Sequence, residues 1–323
     1  MKPVNPISVS VDRLPSAPKA LAGVGSDSVP TAVAPSGAKD GEGKIDNAPG
    51  FRGIKWNWDW VTRPLFGIAL AAIVIAAIFG GPSWLALFGA VGSIAAAREW
   101  HRMVGERVFG PLFFIGSAVI VLSTLAQLWY PLGGSAWTVL ISGAVFVAVV
   151  AALLGQRPLW QGFGPLYIGT TVLCLLLLRA QPSGAWIVVG MYLAIWATDT
   201  GALIVGNLAG GPRLWPELSP NKTWSGTLGA IAVAAVVEAV YVAVLGGQAV
   251  WAGLLGAAIA IVAHSGDLFE SWVKRTFQRK DSGGLIPGHG GVLDRIDSTL
   301  FVAPALTLAV IVTGLSPMMG AHP

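Results

Sequence analysis

The sequence predicts an all-α fold: a polytopic integral membrane helical bundle of about nine transmembrane helices, with the N-terminus cytoplasmic. Three observations carry this. Of 323 residues, 54% are hydrophobic and 11% charged, with a mean hydropathy of +0.69, more apolar surface than a soluble domain can hide. Nine apolar runs approach the ~20 residues needed to cross hydrocarbon. Lysine and arginine also gather on one side of those runs, as the positive-inside rule requires.

Residues 1–50 are rich in Pro, Gly, Ala, Ser and Val and show no helical or strand period, so a disordered tail is expected. No compact apolar segment follows a basic start, which argues against a cleaved secretory signal. In residues 51–64, Trp56, Trp58 and Trp60 alternate beside Arg52, Lys55 and Arg63, the pattern of a segment lying at the membrane–water boundary.

The nine predicted spans are Leu65–Gly81, Ser83–Ala97, Gly110–Tyr130, Ala136–Gly155, Phe163–Arg179, Gly184–Gly206, Ser225–Leu245, Val250–Leu268 and Thr299–Leu315. The first two are short and share only Pro82 as punctuation, so a tight helical hairpin and a broken pair both fit. Residues 65–180 read as a scaffold, 181–317 as a catalytic region with its loops in the cytoplasm, and 318–323 as a tail. With the N-terminus inside, the cytoplasmic loops carry Arg98, Arg102, Arg107, Arg157, Arg213, Lys222, Lys274, Arg275, Arg279, Lys280 and Arg295, and the other side carries only Arg179. Eight more basic residues precede Leu65. The net charge of +4 therefore reports topology, and no nucleic-acid partner is expected. The single cysteine, Cys174, lies in an apolar run, which excludes a disulfide framework or a cysteine zinc site.

Polar chemistry is confined to two stretches. In the first, Asp199 interrupts an apolar span, and intramembrane carboxylates are expensive. A loop dense in Gly and Pro follows, ending in Ser219-Pro-Asn-Lys222-Thr223-Trp-Ser-Gly226. Lys222 and Thr223 stand at a helix start, where free N–H groups and the dipole favour phosphate; a simple capped start explains the same residues. The second stretch, Ser265–Ser298, concentrates five acidic and five basic residues between two apolar runs. His264, Asp267, Ser271 and Lys274 share one helical face, with Glu270 flanking it. Arg275, Arg279 and Lys280 complete a cationic cluster that would also attract anionic headgroups. Then come a turn at Asp281-Ser-Gly-Gly, the run Pro287-Gly-His289-Gly290-Gly291, whose backbone could approach a phosphate closely, and Asp294-Arg295-Ile-Asp297. Asp267, Asp294 and Asp297 thus stand at the same ends of two spans, an oxygen-only donor set suited to Mg²⁺. A hard metal among Lys and Arg is what phosphoryl or nucleotidyl transfer requires.

Other polar residues read more plainly. His264 is expected to pack against Asp267. Glu238, mid-span, fits a buried carboxylate and a site residue equally. Arg98, Glu99 and His101 read as an interfacial loop. Polar residues are not spread through the spans and no inverted repeat is visible, which argues against a transporter.

The run Ser271-x-Val273-Lys274-Arg275-x₄-Lys280-Asp281-x-Gly283-x₂-Ile286-Pro287-x-His289-Gly290-Gly291-Val292-x-Asp294-Arg295-Ile296-Asp297 resembles the signature of the phosphatidate cytidylyltransferases. Gly266-Asp267-Leu268-x-Glu270 and Ser219-Pro220-x-Lys222-Thr223-Trp224-x-Gly226 fit the same family, as does Asp199. The resemblance implies a multi-pass enzyme of the cytoplasmic (inner) membrane that joins CTP and phosphatidate into CDP-diacylglycerol and pyrophosphate. By it, Asp267, Asp294 and Asp297 hold Mg²⁺, with K⁺ as a second cation, and Lys274, Arg275 and Arg295 serve catalysis. Asp199, Ser219, Lys222, Thr223, Ser271, Lys280, His289, Gly290 and Gly291 bind substrate, and a homodimer is allowed. Asn221 and Ser225 depart from the family's usual Lys and Glu, and Leu203 stands near a usual aromatic. A CTP-dependent transferase acting on a polyprenol or an ether lipid is the alternative reading.

Overall fold

A computed structural model describes residues 59–105, 109–131, 133–285 and 290–313, with side chains from residue 67 onward. The expected tail, most of the interfacial segment, Arg107, Ile286–His289 and the C-terminal residues lie outside the described residues.

The described residues form nine helices and one small hairpin. The helices are α1 (Asp59–Phe79), α2 (Pro82–Val104), α3 (Pro111–Trp129), α4 (Ser135–Leu153), α5 (Pro158–Arg179), α6 (Gly184–Ala209), α7 (Trp224–Val244), α8 (Ala249–Thr276) and α9 (Leu293–Thr313). The hairpin pairs β1 (Arg213–Trp215) with β2 (Ser219–Thr223). Seven helices, α3 to α9, are long and apolar enough to cross a membrane, so the chain is an all-α, multi-pass membrane protein. In α1 the part with described side chains, Gly67–Phe79, is an apolar helical stretch.

The first two runs are separate helices. Gly81 takes φ 102°, a left-handed conformation that costs glycine little, and Pro82 opens α2 where its missing N–H is no loss. Helix α2 then runs on to Val104, well past the predicted end at Ala97, and this overturns the interfacial-loop reading of Arg98, Glu99 and His101. Glu99, Trp100 and His101 are helical and buried. The Trp100 indole donates to the Trp160 carbonyl at 3.0 Å, and His101 Nδ1 meets Gln161 Oε1 at 3.0 Å.

Helix α5 is the most enclosed span and packs against α2, α3, α4, α6 and α9. Helices α6, α7 and α8 pack through small residues that let backbones approach closely. Gly201 meets Ala230 and Val233, Gly229 meets Val205, and Gly256 meets Ala234 and Glu238. At one end of the bundle an aromatic cluster locks four helices together: Trp100 of α2, Trp160, Phe163 and Tyr167 of α5, Phe269 and Trp272 of α8, and Phe301 of α9, with centroids 5.3–6.1 Å apart. The charged stretches all lie at this end. At the other, Arg179 Nε donates to the Ile78 carbonyl at 2.8 Å.

The hairpin replaces part of the expected loop. Gly210 (φ 59°) and Gly211 (φ 108°) end α6, and the chain returns as an antiparallel pair, Arg213 opposite Thr223 and Trp215 opposite Ser219. Composition hid this hairpin, because Ser-Pro-Asn-Lys carries no alternating apolar pattern.

Candidate active site

Two polar clusters form at the charged end. The first lines a cavity of about 460 Å³. Helix α6 supplies Asp199, Ala202, Leu203, Gly206 and Asn207, β2 supplies Asn221, Lys222 and Thr223, α8 supplies Ala263, His264 and Asp267, and α9 supplies Ser298. Lys222 forms an ion pair with Asp267. Thr223 is the N-cap of α7 and accepts from the Gly226 N–H at 3.1 Å, so the capping explanation of this residue holds. Ser225 ties α7 back to the Gly210 carbonyl. His264 Nδ1 meets the Ala260 carbonyl at 3.1 Å, and the ring lines the same cavity as Asp267.

The second cluster lies where α8, α9 and the loop between them meet α2. Lys274 Nζ stands 2.8 Å from Asp294 Oδ1 and 3.6 Å from Glu270 Oε1. Asp294 Oδ2 accepts from the Gly291 N–H at 3.0 Å and the Ser282 N–H at 3.3 Å. Glu270 is 1% exposed. Asp297 bridges the clusters: Asp267, Asp199 and Lys274 are all close enough for their charges to act on it, and its Oδ1 accepts from the Ser298 N–H at 2.6 Å.

The structure therefore brings together Asp199, Lys222, Thr223 and Asp267 in one cavity, and Lys274, Gly291 and Asp294 beside it, with Asp297 between. Arg295, exposed on α9, lies within electrostatic reach of Asp199. Ser219, at the far end of β2, and Ser271, one turn beyond Asp267, are half-buried but do not line the cavity. Arg275 and Lys280 are exposed, and Lys280 lines a separate pocket of about 260 Å³ with Arg102 and Arg279. Gly290 takes φ 83°, a conformation that favours glycine. His289 lies outside the described residues.

Two parts of the sequence reading change. Gly291 does not present a free N–H for phosphate, because Asp294 takes it. Both Gly283 and Gly291 pack on the Glu99 carboxylate, and a Cβ at Gly291 would stand 2.6 Å from Glu99 Oε2. Sequence reasoning missed Glu99: no motif surrounds it, and only its position on the helical continuation of α2 could have marked it.

Among the described residues no three His, Cys, Asp or Glu side chains converge as ready ligands. The donor chemistry nevertheless fits a hard cation. Asp199, Asp267, Glu270, Asp294 and Asp297 stand near one another with Lys222, Lys274 and Arg295, five acids against three cations. Both buried oxygens of Glu270 lack a hydrogen-bond partner among the described residues. Carboxylate oxygens gathered in a partly buried site, with no sulfur donor among them, match a hard divalent ion.

The family model for the Cytidylyltransferase family matches residues 61–313. A phosphatidate cytidylyltransferase of Brucella suis is 35% identical over 259 residues, 76% of this chain and 92% of that protein. One from Rickettsia bellii is 30% identical over 204 residues, 61% of this chain and 79% of that protein. One from Bacillus subtilis is 46% identical over 116 residues, 35% of this chain and 43% of that protein. With the match running from α1 to the end of α9, the chain belongs to the cytidylyltransferase family.

Proposed function

We propose that the chain transfers CMP from CTP to phosphatidate, giving CDP-diacylglycerol and pyrophosphate. The observation that carries this is the two-sided character of the main cavity. Its lining is ionic at Asp199, Lys222 and Asp267, while Leu203, one turn along α6 from Asp199, is 64% exposed on a membrane-crossing helix. Such a cavity suits a substrate with a charged head and a lipid body. Its place at the charged end of the bundle supports an active site facing the cytoplasm of the inner membrane, with the N-terminus on the same side.

The reaction forms a bond between a phosphatidate oxygen and the α-phosphorus of CTP and breaks the bond from that phosphorus to the bridging oxygen of pyrophosphate. A phosphate monoester oxygen is already nucleophilic near neutral pH, so positioning and charge neutralisation dominate. Lys222, on the cavity wall, holds a substrate phosphate. Asn221 and Asn207 offer hydrogen bonds to the polar parts of the substrates. Lys274, fixed by Asp294 and Glu270, keeps cationic charge beside the reacting phosphates. Arg295 and Arg275, both exposed, meet the outer phosphates of the nucleotide. Asp267 and Asp297, with Asp294 behind them, would hold Mg²⁺, and K⁺ would be the second cation. Bound metal would supply charge neutralisation on the non-bridging oxygens.

The test is pyrophosphate release by purified protein in detergent with CTP, Mg²⁺ and a lipid acceptor. Release that requires phosphatidate supports the reading. Release with a polyprenol or ether-lipid acceptor but not with phosphatidate would reassign the lipid, and none with any acceptor would overturn the enzyme reading.

A further inference from the structure

We infer that Glu99 of α2 is a positioning residue for the transfer: it clasps the loop joining α8 to α9 and so holds Asp294 and Lys274 in place. This rests on the reading of the site as a CMP-transfer centre.

Glu99 is fully buried, nearly two hundred residues in sequence from the loop it meets. Its Oε2 accepts from the Leu293 N–H at 2.8 Å and from the Ser282 hydroxyl at 3.4 Å. Leu293 is the first residue of α9, whose N–H no intrahelical carbonyl can satisfy. Glu99 therefore caps α9 from another helix, with a charged acceptor at the positive end of the dipole.

Asp294 makes the same bridge from the opposite side. Its Oδ2 accepts from the Ser282 N–H and from the Gly291 N–H. Each carboxylate thus grips Ser282 at the start of the loop and a residue of the Gly291–Leu293 segment at its end. The other oxygen of Asp294 meets Lys274. If the Glu99 grip is lost, the Asp294 carboxylate is left, among the described residues, to tie Ser282 to Gly291, and its hold on Lys274 becomes variable. Gly283 and Gly291 complete the fit, since a side chain on either would occupy the space of the Glu99 carboxylate. The aromatic contacts of Trp100 with Trp160, Phe163 and Tyr167 fix α2, so Glu99 is presented from a rigid support.

Two readouts test this on the full chain in detergent: kcat and KM for CMP transfer, and the rate of tryptic cleavage after the exposed Arg279 and Lys280. For Glu99→Ala, cleavage should be at least tenfold faster and kcat at least tenfold lower, with KM for CTP within threefold of the parent. Glu99→Gln keeps an acceptor oxygen for Leu293 and should retain kcat and protection within about threefold. Gly291→Ala, which forces the clasp open without removing a polar group, should mimic Glu99→Ala, and it decides the matter together with Glu99→Gln if Glu99→Ala does not fold. Parental cleavage and kcat in Glu99→Ala or in Gly291→Ala would overturn the clasp. So would a Glu99→Gln protein as impaired as Glu99→Ala. If the parent protein transfers no CMP, the functional reading fails, while the cleavage rates still judge the clasp.

Discussion

Replacing Lys274 with Met probes how the second cluster is held together. The Lys274 side chain is 15% exposed, Asp294 15% and Glu270 1%, with the ammonium 2.8 Å from Asp294 and 3.6 Å from Glu270. Asp294 would keep its two backbone donors, Ser282 and Gly291. Glu270, whose ion pair is with Lys274, would lose that partner at a buried position where neither of its oxygens has a hydrogen bond among the described residues. Breaking a buried pair by removing one partner costs about 3–5 kcal/mol, and the retained donors of Asp294 place this case near ~3 kcal/mol. At about 1.5–2 °C per kcal/mol for a chain of this length, Tm should fall by roughly 4–6 °C. The single, buried Cys174 supplies the assay, because a fluorogenic maleimide reacts with it only as the bundle opens. Adding Glu270→Gln removes the unpaired buried acid and should recover roughly 2–4 °C. A Lys274→Met protein within about 2 °C of the parent, or a double variant less stable than the single one, would refute this reasoning.

The same assay checks three further substitutions. Glu238 is fully buried and neither carboxylate oxygen has a hydrogen-bond partner among the described residues, so Glu238→Gln should leave Tm unchanged or raise it by a few degrees. Gly256→Ala would set a Cβ 2.7 Å from Glu238 Cβ and 3.0 Å from the Ala234 carbonyl carbon, overpacking expected to cost about 1–3 kcal/mol. At Gly92, inside α2, a Cβ would enter open space with nothing within 4 Å, and Gly92→Ala should stabilise by about 0.5–1 kcal/mol through helix propensity.

The membrane class, the helical bundle and the two polar stretches were legible in the sequence because hydrocarbon imposes them. Long apolar runs have few alternatives in a bilayer, and charge at their ends is costly enough to be conspicuous. The helical face carrying Asp267 and Lys274 followed from spacing alone, and α8 does continue through Thr276. Three things were hidden. The β1–β2 hairpin lacks alternation. The end of α2 was misplaced because Arg98, Glu99 and Arg102 look like the start of a polar loop, whereas Glu99 is buried by long-range bonds to Ser282 and Leu293. The glycine at 291 suggested a phosphate cradle and that at 283 a turn, yet the group pressed against both is a carboxylate of another helix. Contacts of such sequence separation leave no local periodic trace.

The most direct measurement follows the α-phosphorus. Purified protein is given CTP labelled at the α- or the γ-phosphate, with phosphatidate and Mg²⁺, and lipid-extractable label is counted for the parent, Asp267→Asn and Lys222→Met. The account expects α-label, and no γ-label, in the lipid, lost on chelation and reduced at least a hundredfold in both variants, since Lys222 and Asp267 form one ion pair on the cavity wall. Label from the γ-phosphate in the lipid, or undiminished α-label transfer by folded Asp267→Asn protein, would contradict it.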